Sequence, residues 1–300
     1  MLADQPKSLD VQSVLYLNET DDIVRAAEFT SHAVNFARSG SIIQRWRLLL
    51  GDCSPESVLD QTALNAIENV VSDSGGVFEH RFFGTNLGSA AGHNALATNG
   101  ESDLIMFLNP DALMAYDTVA ALVRAMRSGV GIVEARQLPM EHPKTFEKYT
   151  GDTSWASTAC ALTSRDAFDG VGGFDSETFF LYGDDVDYSW RLKLSGYRVV
   201  YEPAARIFHD KRLTTSGDWP SSPAEIYYSA EAALMLAHKY SSPDRVRKLV
   251  TQYLAEGTAE ATHAVAEYKN RVANGTVPMP LDQGHLVSQF IGDNYAVHRF

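Results

Sequence analysis

Between residues 10 and 135, short apolar runs alternate with segments whose apolar residues recur at helical spacing, and few architectures accept that alternation. Val14-Leu15-Tyr16-Leu17, Leu48-Leu49-Leu50 and Leu104-Ile105-Met106-Phe107-Leu108 read as strands buried on both faces. Between the first two, Ile23, Ala26, Ala27, Thr30, Ala33, Val34 and Ala37 form one helical stripe, which makes a β-α-β unit. After the third, Val119, Leu122, Val123 and Met126 repeat the helical period, and Gly129 through Val133 returns to a strand. The fold class implied is α/β, a doubly wound, mostly parallel sheet flanked by helices. Ligands of such sheets collect at the carboxyl ends of the strands, so residues just after each apolar run carry the functional interest.

From about residue 136 to 155 the sequence becomes polar and Pro-containing, long enough for a loop that closes over a ligand. Regularity resumes with Ala159 to Thr163, a Gly-rich turn, and a helix from about Asp184 to Leu194 that Gly196 ends. Beyond Pro220, Ile226, Ala230, Ala233, Leu234 and Ala237 form one helical stripe, and Val246, Leu249, Val250, Tyr253 and Leu254 a second. A boundary is expected near residue 215, between a ligand-binding domain (1–215) and a helical C-terminal segment (216–300).

Charge excludes one class of partner: 38 acidic residues against 25 Lys and Arg give a net charge of −13, the reverse of a nucleic-acid footprint. Two cysteines, Cys53 and Cys160, make no disulfide framework, which fits a reducing cytoplasm. No run of about 18 apolar residues occurs, so no membrane span is expected. Lys211-Arg212 and the basic run from Arg245 to Lys248 leave contact with a lipid surface open.

Four segments carry chemistry. Asn109-Pro110-Asp111 follows the most apolar strand and sets oxygen ligands suited to Mg2+ or Mn2+ at the sheet edge. The same tripeptide is good turn chemistry, and the residues alone leave both readings open. Asp184, Asp185 and Asp187 open a helix, where the backbone dipole favours acids. Asp187 has an ordinary partner in Arg191, one turn on, whereas the adjacent pair is left to divide proton transfer and substrate holding. His209 follows a short apolar strand, and Asn86 through Asn94 places small residues at a helix start where a phosphate can approach.

Taken in order, these segments resemble the family 2 glycosyltransferases of the GT-A fold, in particular the bacterial rhamnosyltransferase-like members. The resemblance runs over roughly residues 11 to 240 and is strongest from Gly172-Gly173-Phe174-Asp175 through Asp187-Tyr188-Ser189-Trp190-Arg191 to His209. It implies that Asp185 is the catalytic base, with Asp184 beside it where the family usually has Glu. It implies that Asp111 and His209 hold the metal, with Asn109 standing where the first acid of an Asp-X-Asp motif usually is. Asn18, Glu19, Asp52, Asn86, Asn109 and Gly173 fall at donor-binding positions, and Trp155 and Asp175 are expected on the acceptor side. Glu231 and Ala232 replace the usual Arg-Asn of the helix that begins at Tyr227-Tyr228.

The implied reaction is inverting transfer of a sugar from a nucleoside-diphosphate sugar to a hydroxyl of a saccharide or lipid-linked acceptor, assisted by Mn2+ or Mg2+. Cell-envelope polysaccharide synthesis, a cytoplasmic location with peripheral contact at the inner membrane face, and a homodimer all belong to that expectation. Two other readings stay open: a catalytically reduced scaffold, encouraged by Asn109, and a sugar-nucleotide pyrophosphorylase, which would need a Gly-rich basic loop where Leu17-Asn18-Glu19-Thr20-Asp21 stands.

Overall fold

A computed structural model describes residues 6–141, 145–209, 221–291 and 295. The alternation folds through β1 (Lys7–Leu15), α1 (Thr20–Ser39), β2 (Ile43–Asp52), α2 (Gln61–Asp73), β3 (Val77–Phe82), α3 (Gly88–Ala97) and β4 (Leu104–Leu108), with α2 and β3 additional to the runs and stripes read from the sequence. The four strands pair in parallel in the order β3-β2-β1-β4. The buried side of α1 is the predicted alanine-rich stripe, which lets the helix lie close to the sheet. The first strand begins earlier than its apolar run suggests and ends before Tyr16 and Leu17, which are exposed. Its middle carries Asp10 and Gln12, fully buried, so hydrophobicity alone misses it.

The second half follows as β5 (Ala112–Met114), α4 (Thr118–Ala125), β6 (Val130–Leu138), β7 (Cys160–Ser164), α5 (Arg165–Gly170), α6 (Asp184–Leu194) and β8 (Arg198–His209). The sheet continues β4-β7-β6-β8-β5, with β7 antiparallel to β4 and β6, and β5 antiparallel to β8. β6 and β8 run parallel to each other, so the sheet is parallel on one side and mixed on the other. One edge therefore collects the carboxyl ends of β1, β2, β3, β4, β6 and β8 together with the amino end of β7.

Successive side chains of β4 face opposite sides, as strand geometry requires. Leu104, Met106 and Leu108 join the core under α1 and α4, while Ile105 and Phe107 meet Phe168, Phe174 and Tyr188 on the other face. The stretch expected to be an irregular loop from 136 is more ordered than its polarity suggests. β6 runs to Leu138, and Phe146 bridges Thr153 while Asp152 bridges Val200. Cys53 and Cys160 are both buried free thiols.

Three helices complete the described chain: α7 (Pro223–Lys239), α8 (Pro243–Glu256) and α9 (Ala259–Asn274). α7 starts with a capping box between Ser222 and Glu225 and with Pro223 in the first turn. The boundary expected near 215, and Lys211-Arg212, lie outside the described residues. Lys239, buried at the end of α7, joins Asp175 and Asp187 at 2.6 Å each, and the Tyr240 hydroxyl donates to Asp187 Oδ1 at 3.0 Å. In the basic run of α8, Arg245 lies over the Phe290 ring, and Arg247 forms an exposed pair with Asp244. Among the described residues no helix is long and apolar enough to cross a membrane.

Candidate active site

The turn after β4 is tied to the strand beside it, because the Asn109 amide donates to the Ala159 carbonyl at 2.9 Å. The short β5 that follows pairs Ala112 with His209, which brings residues almost a hundred positions apart into register. His209 Nε2 consequently lies 3.3 Å from Asp111 Oδ1 and 3.3 Å from Asn109 Nδ2. Its Nδ1 lies 3.2 Å from Gln137 Oε1, an oxygen that can only accept, so Nδ1 is the donor of that bond while Nε2 faces Asp111.

That arrangement fits a divalent ion. Two ligands of one octahedral ion, each at about 2.1 Å, sit about 3 Å apart when adjacent, and an outer acceptor holding the far ring nitrogen is the usual support of a ligating histidine. Among the described residues no group of three or more His, Cys, Asp or Glu assembles, so the remaining ligands would be substrate oxygens and water.

Further carboxylates enter from α6. Gly183, its N-cap, has φ of 70°, and a Cβ there would also press on Ala232 at 3.0 Å, so glycine meets both demands. The chain then delivers Asp184 and Asp185 in succession. Asp184 is buried, and its Oδ2 has no hydrogen-bond partner. Burial, and then the neighbouring Asp185 charge, push the Asp184 carboxyl up to about 7, against the opposing pull of the Ser89 hydroxyl. Asp185 is half-buried, and its Oδ1 accepts from the Val186 amide at 2.8 Å. Asp187 points the other way, to Arg191 Nε at 2.7 Å, as its spacing implies.

Asn109, Gln137, Asp184, Asp185 and His209 line one cleft of about 260 Å³, and Asp111 adjoins it through His209. Ser89, from the small-residue segment 86–94, also lines it, as do Gln137, Tyr182 and Tyr295, which the sequence reading did not single out. Gln137 would have needed recognition that β6 continues past Val133. Tyr182 and Tyr295 carry no local signal.

The remaining expected residues distribute less simply. Asn18, Glu19, Asp52 and Asn86 stand at the carboxyl ends of β1, β2 and β3, on the edge that bears the cleft but outside its lining. Asp52 is fully buried and accepts from the Ser54 and Val58 amides at 3.0 and 2.9 Å, so it shapes its loop instead of offering a free carboxylate. Asn18 accepts from the Tyr16 amide, and the Leu17 amide donates to Ser54 Oγ, joining two of these loops. Asn86 accepts from the Gly88 amide. Gly173 is buried against Asn94 and Phe168, and its carbonyl accepts from Arg191, so packing accounts for it. Asp175 is held by Lys239 away from the cleft lining. Trp155 does line the cleft, yet only 4% of it is exposed, which leaves no free face on which a sugar ring can stack.

The fold is that of the GT-A glycosyltransferases. A mannosyltransferase from Pyrobaculum calidifontis, solved in complex with GDP-Man and Mn2+, matches with a TM-score of 0.56 over 94% of this chain and 79% of that one, at 16% identity. GalNAc-T7, solved with UDP, GalNAc and Mn2+, matches with a TM-score of 0.57 over 90% of this chain and 55% of that one, at 12% identity.

In sequence, 87 residues are 39% identical to N-acetylglucosaminyl-diphospho-decaprenol L-rhamnosyltransferase of Mycobacterium tuberculosis, 29% of this chain and 27% of that protein. Rhamnosyltransferase WbbL of Escherichia coli is 26% identical over 140 residues, 36% of this chain and 53% of that one. The matches thus span between about a quarter and a half of these relatives' lengths. No family model matches the chain. The expected resemblance to bacterial rhamnosyltransferase-like proteins is borne out by these relatives.

Proposed function

We propose that the chain is an inverting glycosyltransferase that moves a sugar from a nucleoside-diphosphate donor to a hydroxyl of a saccharide or lipid-linked acceptor. The observation that carries this reading is that Asp185 and the His209–Asp111 pair meet at one cleft on the carboxyl edge of a GT-A sheet. Asp185 takes the proton of the attacking hydroxyl as the bond from the anomeric carbon to phosphate breaks on the opposite side. Asp111 and His209 would hold Mn2+ or Mg2+, which supplies positive charge to the departing diphosphate. Asp184, neutral through much of its range because of burial, spares Asp185 a second negative neighbour.

Support for a sugar-nucleotide donor comes from the fold neighbours solved with GDP-Man or UDP, and support for an envelope saccharide acceptor from the rhamnosyltransferases. A catalytically reduced scaffold is the second reading, favoured by Asn109 at the first acid position. A thermal-shift panel of nucleoside diphosphates and their sugars, with and without Mn2+, separates the two when followed by assay of nucleotide release. Stabilisation that requires Mn2+, together with release that Asp185→Asn lowers by about 100-fold or more without loss of donor binding, is the expected result. Binding without release from any donor would favour the scaffold.

A further inference from the structure

The described part of the C-terminal tail returns to the cleft. After α9 the chain runs back along α7, where the Leu281 amide donates to the Lys239 carbonyl at 2.6 Å and Ser241 Oγ donates to the Leu281 carbonyl. Phe290 then packs edge-on to Trp190 of α6, ring centroids 5.2 Å apart. Tyr295 finally packs at 89° to Trp155 with centroids 5.3 Å apart, and it lines the same cleft as Asp184, Asp185 and His209. Tyr295 is only 7% exposed and belongs to the core formed by Trp155, Phe179, Trp190 and Tyr240, so its position is fixed by packing. Tyr182, with φ of 65°, turns toward the same cleft, and its hydroxyl donates to Glu225 at 3.1 Å. Among the described lining residues there is no Lys or Arg.

Resting on the glycosyltransferase reading above, we infer that Tyr295, backed by Trp155, is the acceptor-side wall of the cleft. It borders the seat of an acceptor sugar ring and keeps bulk water from Asp185. Aromatic edges beside a carboxylate, with no Lys or Arg among the described lining residues, suit an uncharged saccharide at the reacting hydroxyl, while any phosphate of a lipid-linked acceptor lies beyond this wall. The wall matters because water competes for the same chemistry. In that side reaction the anomeric carbon–phosphate oxygen bond breaks with its electron pair leaving on the diphosphate. A bond forms to the oxygen of water, and the water's proton passes to Asp185.

The test needs no acceptor. Nucleotide release is measured from UDP-, GDP- and dTDP-sugars with Mn2+ for the whole chain and for Tyr295→Leu, which stays apolar but loses the ring, and Tyr295→Phe, which retains the ring. Rates are normalised to the folded fraction from near-UV circular dichroism. Tyr295→Leu is expected to raise acceptor-free release roughly fivefold or more with the donor KM unchanged, and Tyr295→Phe to stay near the unsubstituted rate. Adding Asp185→Asn to Tyr295→Leu should abolish the extra release. An unchanged or lower rate in Tyr295→Leu, or extra release that survives Asp185→Asn, overturns the inference while leaving the transferase reading intact. Absence of release from every donor by the unsubstituted chain and by Tyr295→Leu alike removes both.

Discussion

Asp184 is a carboxyl group that folding removes from water while leaving one oxygen without a hydrogen-bond partner. Its affinity for a proton is therefore higher in the folded than in the unfolded chain. That contribution to stability is complete below the ordinary carboxyl range and is lost as pH rises through about 7. Asp184→Asn, which stays neutral, should thus raise the thermal midpoint clearly at pH 8 and little at pH 5; an equal shift at both would contradict the burial account. His209 depends on a residue no motif announces. Gln137→Met removes the acceptor that holds its Nδ1 and should weaken Mn2+ binding about 10- to 100-fold, read from Mn2+ titration of nucleotide-induced stabilisation. Asp111, Asp185 and His209 were legible because each sits inside a local pattern. Gln137 was not, since its contact with His209 spans 72 positions and leaves no trace in nearby sequence, and the small-residue segment around Ser89 did not announce its bond to Asp184.

Elements were most legible where period and end signals agreed. β4 and α6 match their expected ranges, α6 because Gly183 and Gly196 bracket a run of helix formers. α9 was missed: its buried face is Ala261, Ala264, Val265 and Tyr268, and two alanines give too weak an apolar contrast. Two element-level joints are testable. Gly88 opens α3 at φ of 72°, and a Cβ there would meet the Phe180 carbonyl at 2.2 Å. Gly88→Ala should cost about 1–3 kcal/mol in denaturant unfolding, because strain and a clash with backbone coincide. Lys239→Met leaves the buried Asp187 and the half-buried Asp175 without a cation from α7 and should cost about 3–5 kcal/mol. A smaller loss would mean that Arg191 alone satisfies Asp187.

At the scale of the molecule, the class of fold was readable but the reversal at β7 was not. A strand buried on both faces looks alike in parallel and antiparallel settings, and only long-range pairing decides. That reversal is what sets Ala159 beside Asn109 and opens the cleft between the two halves of the sheet. Lys239 gives the same whole-molecule view of the C-terminal helices. A buried cation on one side of a compositional border, paired with two carboxylates on the other, makes that border a poor place to divide the protein. Residues 1–209 and 221–300, produced as two separate polypeptides, should behave as complementary fragments: each poorly soluble by itself, and both recovered as one stoichiometric particle when expressed together.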